Sequence, residues 1–242
     1  RKNTKVFPVE GGTAAIVYIF DSLKHNGLLN DGDRIAINTP VFTPYIQIPR
    51  LSNFDLAEVY LQAREENQWH IPDSEFEKLL DPSVKAFFLV NPSNPGSRSL
   101  TDETLEQLRK VVVKRPDLII ITDDVYGTFV NGFRTVYSVC PRNTILVYSY
   151  SKLYGVTGWR LGVIAINEDN VFDELIKKLP EKKKKELESD YSIVTFNPSE
   201  MSFVERICAD SRSIGLYHTS GLSTPQQIMM VLLSMTHLVL EN

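Results

Sequence analysis

The sequence predicts an α/β fold, a mostly parallel sheet sandwiched by helices, on three observations. Short β-rich runs alternate with helical stretches along the chain. Runs such as Leu118-Ile119-Ile120-Ile121 are apolar on both faces, as strands are when helices cover a sheet from above and below. The 242 residues, 43% apolar and 23% charged, suffice for one large domain with a sizeable core.

Taken in order, strands are expected at residues 34–38, 54–60, 86–90, 118–122, 144–148 and 162–166. Helices are expected at 13–25, 44–51, 73–80 and 101–114, between those runs. After Ile166 the pattern turns helical and polar, closing with an amphipathic segment over 225–240, where Thr224 is a capping candidate and Pro225 suits a first helical position. No repeat or low-complexity linker interrupts the chain, so residues 1–242 are expected to form a single domain.

A net charge of −4 offers no basic surface for nucleic acid or an anionic membrane, which leaves small molecules as the expected substrates. The one charge run, Lys182 to Lys185, is flanked by Glu181 and Glu186 and fits a solvated helix face. Cys140 and Cys208 lie far apart without C-x-x-C spacing, which fits a reducing cytoplasm and neither a disulfide framework nor zinc. His25, His70, His218 and His237 show no metal-ligand spacing, so no metal is expected. No stretch has the apolar length of a membrane span.

In doubly wound sheets, ligands sit beyond the C-terminal ends of the strands, so polar residues just after strands carry the functional expectation. Glu10-Gly11-Gly12-Thr13 opens a helix, where free N–H groups can receive a phosphate. Asn91-Pro92-Ser93-Asn94-Pro95-Gly96 places amide side chains on a stiff turn after the strand at 86–90. Asp123 emerges at a strand end, with the phenol of Tyr126 three residues on. In Ser149-Tyr150-Ser151-Lys152 a lysine follows a strand end, and Arg160 lies downstream among glycines that allow close backbone approach. A lysine held in a cleft can present its amine to a carbonyl as a Schiff-base nucleophile. Each block alone has a plainer explanation: a glycine turn, a cap, a packed tyrosine, a surface lysine. For Tyr154 and Trp159, core packing is the expectation.

Together the blocks supply what pyridoxal 5'-phosphate requires: a lysine for its aldehyde, donors and a cation for its phosphate, a carboxylate for its pyridine nitrogen and donors for its phenolate oxygen. In this order they resemble the fold-type-I superfamily of aminotransferases. The resemblance implies Lys152 for the Schiff base, Asp123 for the ring nitrogen, and Tyr126 with Asn94 for the phenolate oxygen. It further implies Gly11, Gly12, Thr13, Ser149 and Arg160 around the phosphate, with Phe42 of Thr39-Pro40-Val41-Phe42-Thr43-Pro44-Tyr45 stacked on the ring. Gly96 departs from the family, whose members commonly carry threonine and then glycine there.

The wording Phe7-Pro8-Val9-Glu10-Gly11-Gly12-Thr13-Ala14-Ala15 and His218-Thr219-Ser220-Gly221-Leu222-Ser223-Thr224-Pro225-Gln226-Gln227 is similar to the bacterial aspartate 4-decarboxylases within that superfamily. That similarity implies conversion of L-aspartate to L-alanine and CO2, a side activity as an aspartate aminotransferase, and a homodimer or larger homo-oligomer. The motif residues leave the route open, so an aspartate or aromatic aminotransferase and a non-catalytic pyridoxal-phosphate sensor domain stand as alternatives. Family members also use a C-terminal small domain with a carboxylate-binding arginine and an N-terminal segment that reaches the partner's site. Neither matches residues 1–242, so the chain is expected to be a fragment holding the large domain, and weakly active or inactive by itself.

Overall fold

The computed structural model describes residues 3–50, 54–214 and 221–240, and a seven-stranded sheet runs through its centre. The strands are β1 (Thr4–Val9), β2 (Arg34–Thr39), β3 (Ala57–Gln62), β4 (Val84–Val90), β5 (Ile119–Asp123), β6 (Thr144–Ser149) and β7 (Gly162–Asn167). They lie in the order β1-β7-β6-β5-β4-β2-β3, parallel except for β7, which runs antiparallel to both β6 and β1. The expected mostly parallel sheet is what forms.

Alternate residues of the central strands feed two different cores. Phe88, Val90, Ile119 and Ile121 pack on one side with Ile16, Phe20, Phe172, Phe203 and Ile207, from α1 (Gly12–His25), α5 (Val171–Lys177) and α7 (Phe203–Ile214). Phe87, Leu89, Leu118 and Ile120 pack on the other with Phe76, Leu79, Leu105 and Leu108. Those partners come from α3 (Asp73–Phe76), the 3-10 turn after it and α4 (Asp102–Lys114). Side chains of a strand alternate between faces, so a strand that is apolar at every position needs a helix layer on each side.

Two elements depart from the expectation for local reasons. β1 was not foreseen because its sequence mixes Lys5 and Pro8 with its apolar residues; it forms an edge strand, the position that tolerates a proline, and buries Phe7 and Val9. β3 starts at Ala57 and not at 54 because Asp55 adopts a left-handed φ of 44°, which interrupts the extended run, while Phe54 and Leu56 still reach the core. The helix expected over 44–51 shortens to α2 (Pro44–Gln47) with a 3-10 turn at Ile48–Arg50, and Leu51 lies outside the described residues.

The lysine run lies on α6 (Glu181–Tyr191), where Lys184 pairs with Glu181 at 2.8 Å on the solvent side. The last helix, α8 (Thr224–Leu240), is entered through Ser223, whose backbone N–H and hydroxyl both donate to Gln226 Oε1, so Ser223 and not Thr224 occupies the capping position. The amphipathic expectation for α8 is corrected: only Met230 is buried, while Ile228, Val231, Leu232, Met235 and Leu238 are exposed on it. Among the described residues, no helix is long and apolar enough to cross a membrane.

Gly162, in β7 opposite both Val9 and Ser149, holds these neighbours in close approach. A Cβ there would lie 2.8 Å from the backbone of Gly11 and 3.1 Å from the Tyr148 carbonyl oxygen, atoms that cannot rotate aside. Gly162→Ala is expected to cost about 1–3 kcal/mol in denaturant unfolding. An unchanged unfolding midpoint would show that β1 and α1 yield freely at this seam.

Candidate active site

The side chains singled out from the sequence gather at one edge of the sheet. Phe42 follows β2, Asn94 follows β4, Asp123 closes β5 with Tyr126 just beyond, and Ser149 closes β6 ahead of Lys152. Since β7 runs the other way, its first residue brings Arg160 to the same edge, as does β1 with Gly11 and Gly12. All but Gly11 line a single cavity of about 300 Å3.

One end of this cavity is built for an anion. Gly11 caps α1 with φ 89° and ψ 175°, a conformation only glycine adopts readily, and no side chain caps the helix. The first-turn N–H groups of Gly12 and Thr13 therefore stay available, with the positive end of the helix dipole behind them. A Cβ on Gly11 would collide with the Arg160 guanidinium, so the glycine is what admits the cation. Arg160 itself is left-handed (φ 54°) and donates to the Thr157 carbonyl at 3.0 Å. No carboxylate lies within ion-pair distance of it among the described residues, and the buried Ser149 hydroxyl, which donates to Ser151 Oγ at 3.0 Å, lies beside Gly12.

The rest of the cavity wall carries an amine and a carboxylate. Lys152 Nζ has no hydrogen-bond or ion-pair partner among the described residues and lies 6.0 Å from the centre of the Tyr126 ring. Asp123 is buried, which pushes its carboxyl above the usual carboxylate range, while hydrogen bonds from the Tyr45 hydroxyl and the Val125 N–H oppose that shift. The Asn94 amide donates to the Tyr126 hydroxyl at 3.2 Å, so the amide and phenol form one unit across the β4 and β5 ends. Phe42 is half exposed at the mouth and meets Tyr45 edge-on at 5.8 Å.

The sequence reading missed Tyr45, which is buried against Phe88 at 4.9 Å and donates to Asp123. Its signal was its place, directly after the proline that starts α2, the helix that follows β2. Ser151 and Thr157, which also line the cavity, were missed as well; the Thr157 hydroxyl donates to the Ser151 carbonyl at 3.0 Å and closes the loop around Lys152. Trp159, expected in the core, is instead half exposed, and Tyr154 is partly buried and stacked on Tyr150 at 5.2 Å. At the departure noted above, Ser97 takes the left-handed φ of 53°, and a Cβ on Gly96 would come 2.8 Å from Ser93 Oγ. His25 lies between Asp190 and Asp210 at the opposite end of α1 from Gly12, and His218 lies outside the described residues.

The donor set fits pyridoxal 5'-phosphate: a glycine cradle with a free helix terminus and an arginine at one end, a buried carboxylate and an unpaired amine on the rest of the wall. Comparison with known proteins gives the same direction. The family model described as aminotransferase class I and II matches residues 1–181. A bifunctional aspartate aminotransferase and L-aspartate beta-decarboxylase from Pseudomonas sp is 53% identical over 241 residues, 99% of this chain and 45% of that protein. The chain thus spans less than half the length of that curated relative. Among solved structures, an amino transferase from Eubacterium rectale superposes with a TM-score of 0.68 at 18% identity, over 91% of this chain and 48% of that one. Cystalysin from Treponema denticola, whose structure contains pyridoxal 5'-phosphate, superposes at 0.58 and 19% identity over 88% and 51% of the two chains. At these identities the structural likeness shows the fold.

Asp124, next to Asp123, is buried with its Oδ1 accepting from the Thr122 hydroxyl at 2.6 Å. Burial pushes its carboxyl up to about 7, with Asp123 adding to the rise and Thr122 and Thr135 opposing it. The unfolded chain ionises this group near its ordinary value of 3.8, so between there and about 7 the folded state binds the extra proton. Stability therefore falls as pH rises through that window. Asp124→Asn is expected to match the native chain near pH 4 and to exceed it above pH 7 by an amount on the order of 2–4 kcal/mol. Urea unfolding at both ends of the window checks this; a constant difference across it would contradict the assignment.

Proposed function

This chain belongs to the aminotransferase class I and II family, and on that premise we propose that it binds pyridoxal 5'-phosphate through Lys152 and acts on L-aspartate. The observation that carries the reading is the convergence of the unpartnered Lys152 amine and the buried Asp123 carboxylate in one cavity at the strand ends. When bound, the cofactor supplies an aldehyde for an amine and a ring that accepts the electrons left by a bond broken at the substrate's α-carbon.

In this reading Lys152 would hold the cofactor's aldehyde through its amine, and the same amine would be the base for the substrate's α-proton. Asp123, whose carboxyl accepts from the Tyr45 hydroxyl and the Val125 N–H, would face the ring nitrogen and favour its proton. Tyr126 and Asn94 present donors to the phenolate oxygen from their shared hydrogen bond. Gly11, Gly12, Thr13, Ser149 and Arg160 would hold the phosphate, with Phe42 as an aromatic wall for the ring.

Similarity to the Pseudomonas protein over nearly the whole chain supports β-decarboxylation of L-aspartate to L-alanine and CO2, with aspartate transamination as the side activity. We read residues 1–242 as the cofactor-binding large domain of such an enzyme, working with a second copy of itself. Free Cys140 and Cys208 support a reducing compartment, the cytoplasm.

The test of the site is to load the chain with pyridoxal phosphate, reduce with borohydride and map the labelled peptide. The label is expected on Lys152; labelling elsewhere would remove the assignment. Lys152→Ala should lose the label and slow any turnover by about 10²–10⁴-fold. The reaction is tested separately: CO2 release from L-aspartate without an added α-keto acid is expected, and turnover only with a keto acid would leave transamination alone.

A further inference from the structure

We infer that Tyr150 is the positioning residue for Lys152, tying the lysine's turn to α8; this rests on the cofactor reading above. Backbone contacts within the turn are long, with Tyr154 N–H reaching the Tyr150 carbonyl at 3.4 Å and Gly155 N–H the Lys152 carbonyl at 3.3 Å, while its flanks are held by Tyr150 N–H on the Leu161 carbonyl at 3.0 Å and the Thr157 hydroxyl on the Ser151 carbonyl at 3.0 Å. The side chains on either side of the lysine compensate. The Tyr150 and Tyr154 rings stack at 5.2 Å with 21° between their planes, and Tyr148 meets Tyr150 edge-on at 5.5 Å. Tyr154 in turn meets His237 of α8 edge-on at 6.3 Å.

The direction of the polar contact is fixed by its surroundings. The Ser234 hydroxyl donates to the Met230 carbonyl at 2.9 Å, as serines within helices do, so its oxygen is left to accept. Tyr150, 2.8 Å away, is then the donor. Below this pair, Met230 and Leu233 of α8 pack with Leu161, Val156 and Val163, which belong to the same loop and to β7. The residues two before and two after Lys152 are therefore fastened to one helix, while the amine between them stays free. A helix that buries only Met230 among its residues has its attachment concentrated at this clamp. Aromatic stacking with a shared hydrogen bond restricts the rotation of the loop, which limits the positions open to the amine in the cavity it lines.

The test compares Tyr150→Phe, Ser234→Ala and the double variant. After pyridoxal phosphate is added, the rate of appearance of the visible band of the lysine-bound cofactor is followed. Hydrogen exchange over residues 149–156 is measured in the cofactor-free protein. Each single variant is expected to slow band formation about fivefold, with faster exchange in that peptide, and the double variant to be no slower than either single one. The pH midpoint of the band is expected to move in Tyr150→Phe, which a general loss of stability would not produce. Unchanged rates with the borohydride label still on Lys152 overturn the positioning role alone, as does a double variant slowed by the product of the single effects, about 25-fold. A label on another lysine in the unaltered chain overturns the cofactor reading and this role with it.

Discussion

The constraint on which the rest depends is that both faces of the sheet are sealed by apolar side chains. Ile119, Ile120 and Ile121 alternate between two fully buried cores, so no polar group can enter the middle of β5 without losing its water. Polar chemistry is then possible only where the strands end. The parallel strands β2, β4, β5 and β6 end on one edge, and the reversed β7 begins there. That single geometric fact brings residues as distant in sequence as Gly12 and Arg160 to the walls of one cavity.

Within that edge, electrostatics divides the work. An anion is attracted at the α1 terminus and Arg160, where donors outnumber acceptors. A cation is attracted at Asp123, where burial makes an unpaired charge costly and a positive ring nitrogen would relieve it. The Tyr45 hydroxyl and the Val125 N–H each hold one of the two carboxylate oxygens, which limits the lone pairs left for a ligand. Asp124 takes the alternate side-chain direction, as strand geometry requires of a neighbour, and is stabilised by Thr122. Two adjacent acids thus meet different surroundings, and only Asp123 lines the cavity.

What the sequence disclosed follows the same logic. Strands apolar on both faces and residues standing just after them are local patterns, so β2, β4, β5, β6 and β7 and the residues from Phe42 to Arg160 were legible. Tyr45 was not, because its role is a hydrogen bond to a residue on another strand, and nothing in Phe42-Thr43-Pro44-Tyr45 states that partner. The start of β3 was displaced by the backbone of Asp55, a turn decision that hydrophobic alternation does not encode. Trp159 was weighed between core and cleft and expected in the core; the left-handed Arg160 beside it turns the loop toward the cavity and leaves the indole half exposed. The Tyr148, Tyr150 and Tyr154 spacing looks like strand alternation carried into a turn, and only the position of α8 makes a stack of it.

The far end of α1 explains why its N-terminus can serve as a fixed element. Asn26 follows the helix and donates to the Ser22 carbonyl and the Tyr191 hydroxyl, while Arg206 donates to Asn26 Oδ1 from α7 and lies over the Tyr191 ring at 4.8 Å. Asp210 accepts from Ser22 at 2.5 Å and from Tyr191, and raises the basicity of His25 through the 2.8 Å contact between them. Ser22, Asn26, Tyr191, Arg206 and Asp210 are buried, so each missing partner would carry a desolvation cost of about 1–3 kcal/mol, and the satisfied network resists displacement for the same reason. Core packing of Ile16, Ile19 and Phe20 secures the helix along its length. A helix pinned laterally and at its C-terminus cannot slide along its axis, and an anion at Gly12 and Thr13 therefore meets donors that are already in place. Preorganisation of that kind is a property of the whole layer of α1, α6 and α7, and it is why the glycine pair can remain free of any capping side chain without the helix end fraying.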